Sequence, residues 1–269
     1  MAPIANWDDV RRKLDLLRER DNALTGFGAP THKYVTRPVV ESELEALEHD
    51  LGARLPDDFR AFLLEVGYGA GPYYGVYGAP QVLDEVRDGL DIWMEDSETL
   101  SRAWLDHAKA NGEWPRLTIP SWVEWMTLGW SDYVITRGGW PTPDRPFPFT
   151  RAQAETIPQG QAWQAVLEAP YPAPGCILIG HQGCSYYTVI VTAGALTGSV
   201  WELWHEPCGH GTWLPARCTS ANIYREPPRL RQVPIFREWY TGWLDASLAD
   251  LPYVKQDTAD ARAKREARL

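Results

Sequence analysis

The chain has 269 residues, of which 44% are hydrophobic and 23% charged, the composition of an ordinary globular protein. Its formal net charge of −10 opposes binding to nucleic acid or to anionic lipid, so we expect neither and favour a basic protein partner. Acidic and arginine residues follow Met1 where a signal peptide would be apolar, and no stretch approaches the ~20 apolar residues of a membrane-spanning helix, which predicts a cytoplasmic protein.

Two amphipathic helices are predicted near the N-terminus. Apolar residues recur at intervals of three and four from residue 6 to about 22, with Asn6 as the N-cap. Ser42 and Glu45 have the spacing of a capping box, and Gly52 is suited to end the helix that they begin. We therefore expect the first helical pair before residue 53.

A third helix is predicted to begin at Pro56 and to end at Gly67. The glycine- and tyrosine-rich residues 67–78 then fit a turn that leads into a short strand. Residues 98–110 favour another helix. Prolines crowd residues 112–175, which indicates an insertion made mostly of extended loop.

The C-terminal part of the sequence is rich in strand signals. Three β-rich runs, Cys176–Ile179, Tyr186–Thr192 and Ser199–Trp204, are separated by glycine-bearing turns and are predicted to pair as adjacent antiparallel strands. Residues 234–248 predict a final helix. Residues 257–269 are a charged tail.

A compound pattern lies between residues 41 and 80: an acidic helix, a Leu-Gly stop, a Leu-Pro start to the next helix, and a Gly-Pro turn. It consists of Glu43-Leu44-Glu45, Leu51-Gly52-Ala53-Arg54-Leu55-Pro56-Asp57-Asp58-Phe59-Arg60-Ala61-Phe62-Leu63, Gly69-Ala70-Gly71-Pro72 and Tyr74-Gly75-Val76-Tyr77-Gly78. A second block contains Ile177-Leu178-Ile179-Gly180, Gly183 and Gly198-Ser199-Val200-Trp201. In this order the parts resemble the SUKH superfamily, which includes bacterial toxin-immunity proteins and fungal cell-wall assembly regulators.

The resemblance implies an α+β fold, in which a mixed, largely antiparallel sheet packs against N-terminal helices. It also implies no catalytic machinery and no cofactor, with toxin neutralisation as the commonest bacterial role. The expected organisation is an N-terminal helical extension over 1–25, a SUKH-like domain over 26–256 with a Pro/Trp-rich insertion at about 112–175, and the tail over 257–269. The oligomeric state is left open.

A group of potential zinc ligands near the second block offers an alternative function. It contains His181, Cys184, His205, Cys208, His210 and Cys218. The spacing is not the paired Cys-x2-Cys of zinc sites and cysteine is commonly buried, so we interpret these as strand-end residues and expect free thiols and no bound metal. The alternative is a zinc-dependent hydrolase, or a thiol-dependent one with Cys184 as nucleophile.

The candidate binding site is an acidic stretch around one tryptophan. It comprises Asp84, Glu85, Asp88, Asp91, Trp93, Glu95, Asp96 and Glu98, opposed only by Arg87. Such a run is commonly a solvated surface, but an anionic patch around an aromatic ring is also suited to a cationic toxin. Our leading hypothesis is a non-enzymatic immunity protein that binds a cognate toxin, such as a basic nuclease, through this stretch. An intracellular regulatory scaffold with several partners is the third hypothesis.

Overall fold

The computed structural model describes residues 7–78, 143–157, 167–170, 173–184, 186–205, 210–217, 219–220 and 233–266. The helix predicted over 98–110 and the acidic stretch lie outside these residues. Within them there are helices α1 to α6: Asp8–Arg20, Ala29–His32, Glu41–Leu51, Asp57–Glu65, Arg151–Glu155 and Phe236–Glu266. Strands β1 to β7 are Thr36–Arg37, Tyr68–Gly69, Leu167–Pro170, Cys176–Gly183, Tyr186–Val191, Val200–His205 and His210–Pro215.

The main sheet has five antiparallel strands in the order β3-β7-β6-β5-β4. The predicted adjacent pairing of β4, β5 and β6 is confirmed, and β7 and β3 extend the sheet beyond what the sequence predicted. In its register Thr188 of β5 lies opposite Glu202 of β6, and Leu203 lies opposite Trp213 of β7. With the helices, this sheet confirms the predicted α+β class.

Alternating side chains of the strands divide the interior into two cores, because successive residues of a strand point to opposite faces. Val200 of β6 belongs to the core beneath the helices, whereas Trp201 and Leu203 belong to the core on the other face. The helical core contains large rings that are fully or almost fully buried: Trp7, Tyr34, Phe59, Phe62, Phe236, Trp239, Tyr240 and Trp243. Packing in this core therefore accounts for many of the aromatic rings among the described residues.

The second core is covered by residues 143–157, which belong to the predicted insertion. Phe147 lies 5.3 Å from Trp201 and 5.5 Å from Trp213, measured between ring centroids. Helix α5 in this segment was predicted as loop. It begins at a capping box, in which Thr150 Oγ1 accepts a hydrogen bond from the Gln153 N–H at 3.2 Å and Gln153 Oε1 accepts one from the Thr150 N–H at 2.8 Å.

Residues 71–77, which we call the tyrosine loop, cover the outer edge of β4. The Tyr74 N–H donates to the carbonyl of His181 at 3.3 Å, and the Tyr77 N–H donates to that of Ile179 at 2.9 Å. The approach requires glycine at residue 180, where a Cβ would stand 2.7 Å from the Gly75 carbonyl oxygen. The loop and its preceding strand β2 thereby connect the small β1–β2 pair to the main sheet.

The start of α3 differs from the prediction. The helix begins at Glu41, and the carboxylate of Glu43 accepts a hydrogen bond from the Val40 N–H at 3.2 Å. The capping box predicted at Ser42 and Glu45 is therefore wrong by two residues, because Glu43 can also reach back to the backbone. The predicted stop is confirmed, since Gly52 has a left-handed φ of 64°.

Helix α6 is longer than predicted. It was expected to end at Leu248 but continues to Glu266, with Pro252 inside it and with most of the charged tail in its last turns. Alanine, lysine, arginine and glutamate in the tail have high helix propensity, which explains the extension. Helix α1 packs beside α6, where Lys13 and Asp245 form an ion pair at 2.6 Å. The division at residue 25 stays a prediction. Across the residues described, no helix combines the length and apolar character that crossing a bilayer requires.

Candidate partner-binding site

The β4–β5 and β6–β7 connections lie at the same end of the main sheet, because all these strands are antiparallel neighbours. Aromatic and polar side chains gather there beside the tyrosine loop. We call this group the hairpin-end patch; it consists of Tyr73, Tyr74, His181, Gln182, Tyr186 and Trp204.

Two tyrosine rings of the hairpin-end patch are exposed. Tyr74 is 39% exposed, and its ring stacks on that of His181 at a centroid distance of 5.8 Å. Tyr186 is 40% exposed and lies opposite Trp204 in the sheet, with the rings edge to face at 5.4 Å. Tyrosine and tryptophan offer large, rigid contact area with a polar group, the character of energetically important residues at protein interfaces.

A buried ion pair lies beside the hairpin-end patch, where Glu202 of β6 meets Arg217, which follows β7 and lies near Tyr73. Glu202 is completely buried, on the same side of β6 as Val200. Its Oε2 accepts hydrogen bonds from Nε and Nη2 of Arg217 at 3.3 and 3.0 Å, and its Oε1 accepts one from the Arg217 N–H at 3.0 Å. The charge of Glu202 raises the pKa of Arg217. The carboxylate therefore fixes a half-exposed guanidinium beside the patch.

Hydrogen bonds also fix Gln182. Its Nε2 donates to the hydroxyl of Thr188 at 3.1 Å and to the carbonyl of Tyr187 at 3.3 Å. Thr188 is buried opposite Glu202, so the polar floor of the patch is continuous across β5 and β6. A partner would meet side chains already held in one arrangement, which lowers the entropy lost on binding.

The structure describes the side chains of two residues from the possible zinc cluster. Nε2 of His181 lies 2.8 Å from the carbonyl oxygen of Cys184. This ring nitrogen therefore contacts the backbone of the β4–β5 turn and not the Cys184 thiol. His205 and His210 lie on β6 and β7 at the same sheet end, while Cys208 and Cys218 fall outside the described residues. Among the residues described, no three His, Cys, Asp or Glu side chains are grouped so as to hold a metal ion.

The two described cysteines differ in environment. Cys184 is exposed in the turn, whereas Cys176 is buried, and burial raises the pKa of the Cys176 thiol. Both are free thiols, as expected for this pair.

Replacing Cys184, Cys208 and Cys218 together with alanine is expected to leave partner binding unchanged, within about 0.5 kcal/mol, because surface and strand-end substitutions have small effects. Calorimetric titration of the triple variant measures its affinity for the partner. Elemental analysis of the unaltered protein measures its zinc content. Stoichiometric zinc, or loss of binding by a variant that still melts cooperatively, would contradict the interpretation that these cysteines have no metal-binding or catalytic role.

The acidic stretch that the sequence singled out lies outside the described residues and stays a prediction. Tyr74, Tyr186 and the Glu202–Arg217 pair were not proposed as site residues. The sequence contained one feature that indicates the ion pair. Glu202 is the only acidic residue of β6, among apolar and aromatic neighbours, and a buried charge of this kind requires a partner. The tyrosines carried no comparable signal, because their exposure depends on tertiary packing.

The sequence profile of the SMI1 / KNR4 family (SUKH-1) matches residues 38–214, which is more than half of the chain. The chain belongs to the SMI1/KNR4 family. The SMI1/KNR4 match contains α3, α4, the tyrosine loop and the strands β4, β5 and β6, and it confirms the resemblance to the SUKH superfamily. No curated protein and no solved structure significantly matches the chain. Membership of the SMI1/KNR4 family fits a general role of the immunity-protein type, in which the chain acts on a protein partner.

Proposed function

We propose that this protein is a cytoplasmic, non-enzymatic immunity protein that binds one cognate toxin domain and neutralises it by covering or locking its active site. The observation that carries the proposal is the SMI1/KNR4 match over residues 38–214. A binding role of this kind needs complementarity of shape and charge and no catalytic group.

The net charge of −10 favours a basic toxin, because opposite net charges accelerate encounter. In this proposal the acidic stretch steers the toxin toward the protein, and the hairpin-end patch supplies short-range contacts. The two contributions differ in kind. Steering changes the association rate and weakens with salt, whereas desolvated aromatic contacts change the dissociation rate.

The aromatic support of Tyr74 and Tyr186 distinguishes the hairpin-end patch from other exposed apolar side chains. Val35, Val40 and Ile235 are also exposed among the described residues, and single exposed apolar residues of this type are ordinary on a protein surface. Tyr74 and Tyr186 instead lie at one end of the sheet, where Tyr74 stacks on His181 and Tyr186 packs against Trp204. The patch therefore has the composition of an interface centre.

Replacing Tyr74 and Tyr186 together with alanine is expected to weaken toxin binding by about 2 kcal/mol or more, roughly 30-fold in Kd, mainly through faster dissociation. Val40→Ala is the matched control, because Val40 is 60% exposed but belongs to the start of α3. Surface-binding kinetics measure both variants. Equal dissociation rates for the double variant and the control would remove the patch from the interface.

The test of the proposed function is rescue of cells that express a candidate toxin, chosen from the genes that neighbour this one. Co-expression of the chain should restore growth, and the two proteins should co-purify as a stable complex. Failure of both with a correctly folded chain would contradict the proposal. Recovery of several unrelated partners instead of one tight one would favour the regulatory scaffold.

A further inference from the structure

The segment between α1 and β1 packs directly behind the tyrosine loop. We call residues 21–34 the support turn. At Gly28, which has a φ of +77°, a Cβ would stand 1.5 Å from the Tyr73 carbonyl oxygen, so the two backbones touch with no room for a side chain. Phe27 contacts the rings of Tyr73 and Tyr74 at centroid distances of 6.3 and 5.5 Å. The position of the loop therefore depends on that of the turn.

His32 lies at the centre of this contact and is 8% exposed. Its Nδ1 accepts a hydrogen bond from the Tyr34 N–H at 3.1 Å, and its ring meets the Trp243 indole of α6 edge to face at 6.0 Å. A Cβ at Gly75 of the tyrosine loop would lie 3.7 Å from the His32 Cβ. Nε2 is buried and has no hydrogen-bond partner among the residues that the structure describes. Since Nδ1 accepts, the imidazole is neutral with its proton on Nε2.

Protonation of His32 is incompatible with this arrangement. A histidinium has donors at both ring nitrogens, so Nδ1 would face the Tyr34 N–H donor and lose the hydrogen bond. It would also place a positive charge in a site where no described group accepts from Nε2. In agreement with this geometry, burial lowers the pKa of His32 from 6.5 to about 4.

Asp21 and Tyr34, which lie near His32 in the support turn, do not change charge between pH 5 and 7.5. Burial acts to raise the pKa of Asp21, but hydrogen bonds from Thr25, Gly26 and Tyr34 outweigh it and leave that pKa below its ordinary value. Burial and the Asp21 charge raise the pKa of the Tyr34 phenol. Lys33 is exposed, and the contact from α6 is an indole. His181 meets the tyrosine loop from its other side, through Tyr74.

Backbone strain is concentrated in the same two segments. Leu24, Lys33 and Tyr34 of the support turn have positive φ angles of 53°, 51° and 55°, and Tyr73 of the tyrosine loop has one of 56°. A positive φ is unfavourable for a residue with a side chain and persists only while the surrounding packing compensates for it. Weakening the packing at His32 therefore favours local opening.

We propose that His32 is a proton-sensitive support of the tyrosine loop, so that mild acid favours release of the loop and displaces Tyr73 and Tyr74 from the hairpin-end patch. The neutral ring fills the space between the support turn, α6 and the loop. The charged ring cannot keep both its hydrogen bond and its burial. This inference concerns the stability of the patch itself and holds whether or not the partner is a toxin.

Amide hydrogen exchange of the full chain at pH 7.5 and 5.0 tests the proposal, after correction for the intrinsic exchange rates. For a group with a pKa of 6.5 when open and about 4 when closed, the opening equilibrium rises about 30-fold over this interval. The amides of Tyr74 and Val76 should lose protection by that factor. Those of Val191 and Val200 in the main sheet should lose little; an equal loss there would mean global unfolding and would overturn the proposal.

Two variants identify the sensor. His32→Asn keeps a short acceptor for the Tyr34 N–H but cannot be charged, so its protection should be nearly equal at the two pH values. His181→Asn removes the other described histidine side chain that contacts the tyrosine loop and should keep the full loss of protection. The reverse result assigns the effect to His181 and overturns the proposal. If His32→Asn does not fold, an NMR titration of His32 in the unaltered chain tests the proposal instead. A reversible titration midpoint near 6.5, with the amides of the tyrosine loop still protected, would refute the proposal.

Discussion

Phe62→Asp is expected to prevent folding. The ring of Phe62 is completely buried between α4, α1 and α6, with centroid distances of 5.4 Å to Trp7, 4.9 Å to Phe236 and 4.6 Å to Tyr240. Removing such a ring costs about 3–5 kcal/mol, and the carboxylate adds the cost of an unpaired buried charge. The sum reaches the whole stability of a typical domain, about 5–15 kcal/mol.

Ala46→Asp is the matched control, since Ala46 is exposed in the middle of α3. An aspartate there should cost less than about 1 kcal/mol, the loss of helix propensity. Circular dichroism melting and the soluble yield of both variants measure the difference. A soluble Phe62→Asp protein with a cooperative melt would show that α4 does not belong to the core of the folded protein.

The second large effect is expected from the acidic stretch. Reversing Asp88, Asp91, Glu95 and Asp96 to lysine together should slow association with a basic toxin by about 10- to 1,000-fold at low salt, because electrostatic steering acts over this range. The change should shrink at high salt as the charges are screened. Single reversals should be nearly silent, since an exposed pair contributes only about 0–1 kcal/mol.

Trp93→Ala should affect the dissociation rate, in contrast to the four-fold charge reversal. If Trp93 anchors a desolvated contact, its removal should speed dissociation with little dependence on salt. Binding kinetics at two ionic strengths separate the two effects. An unchanged association rate in the four-fold reversal would remove the acidic stretch from the interface and leave the hairpin-end patch as the proposed contact.

Local sequence signals predicted the elements that they specify directly. The stop at Gly52 and the apolar face of α4 depend on neighbouring residues alone, and both were found. The three strands β4, β5 and β6 were also predicted, because β-rich runs and glycine turns alternate along the chain. Short strands were missed where their formation depends on pairing with a distant segment. Strand β3 forms by pairing with β7, which is distant in sequence.

The candidate site was less accessible to sequence reasoning. The acidic stretch was visible because charge clusters along the chain. The hairpin-end patch joins residues from the tyrosine loop, β4, β5 and β6, which only the antiparallel register brings to one end of the sheet. His32 carried no signal, since its burial depends on the packing of α6 and the tyrosine loop against the support turn.

The two hydrogen bonds that the tyrosine loop donates to β4 also cover the edge of that strand. Without the loop, the carbonyl groups of Ile179 and His181 would stand unpaired along an open strand edge. Open edges recruit other chains and seed aggregates. The loop therefore protects the protein from self-association as well as shaping the proposed binding surface. Variants that displace it should precipitate on storage at high concentration, even where their melting temperature is normal.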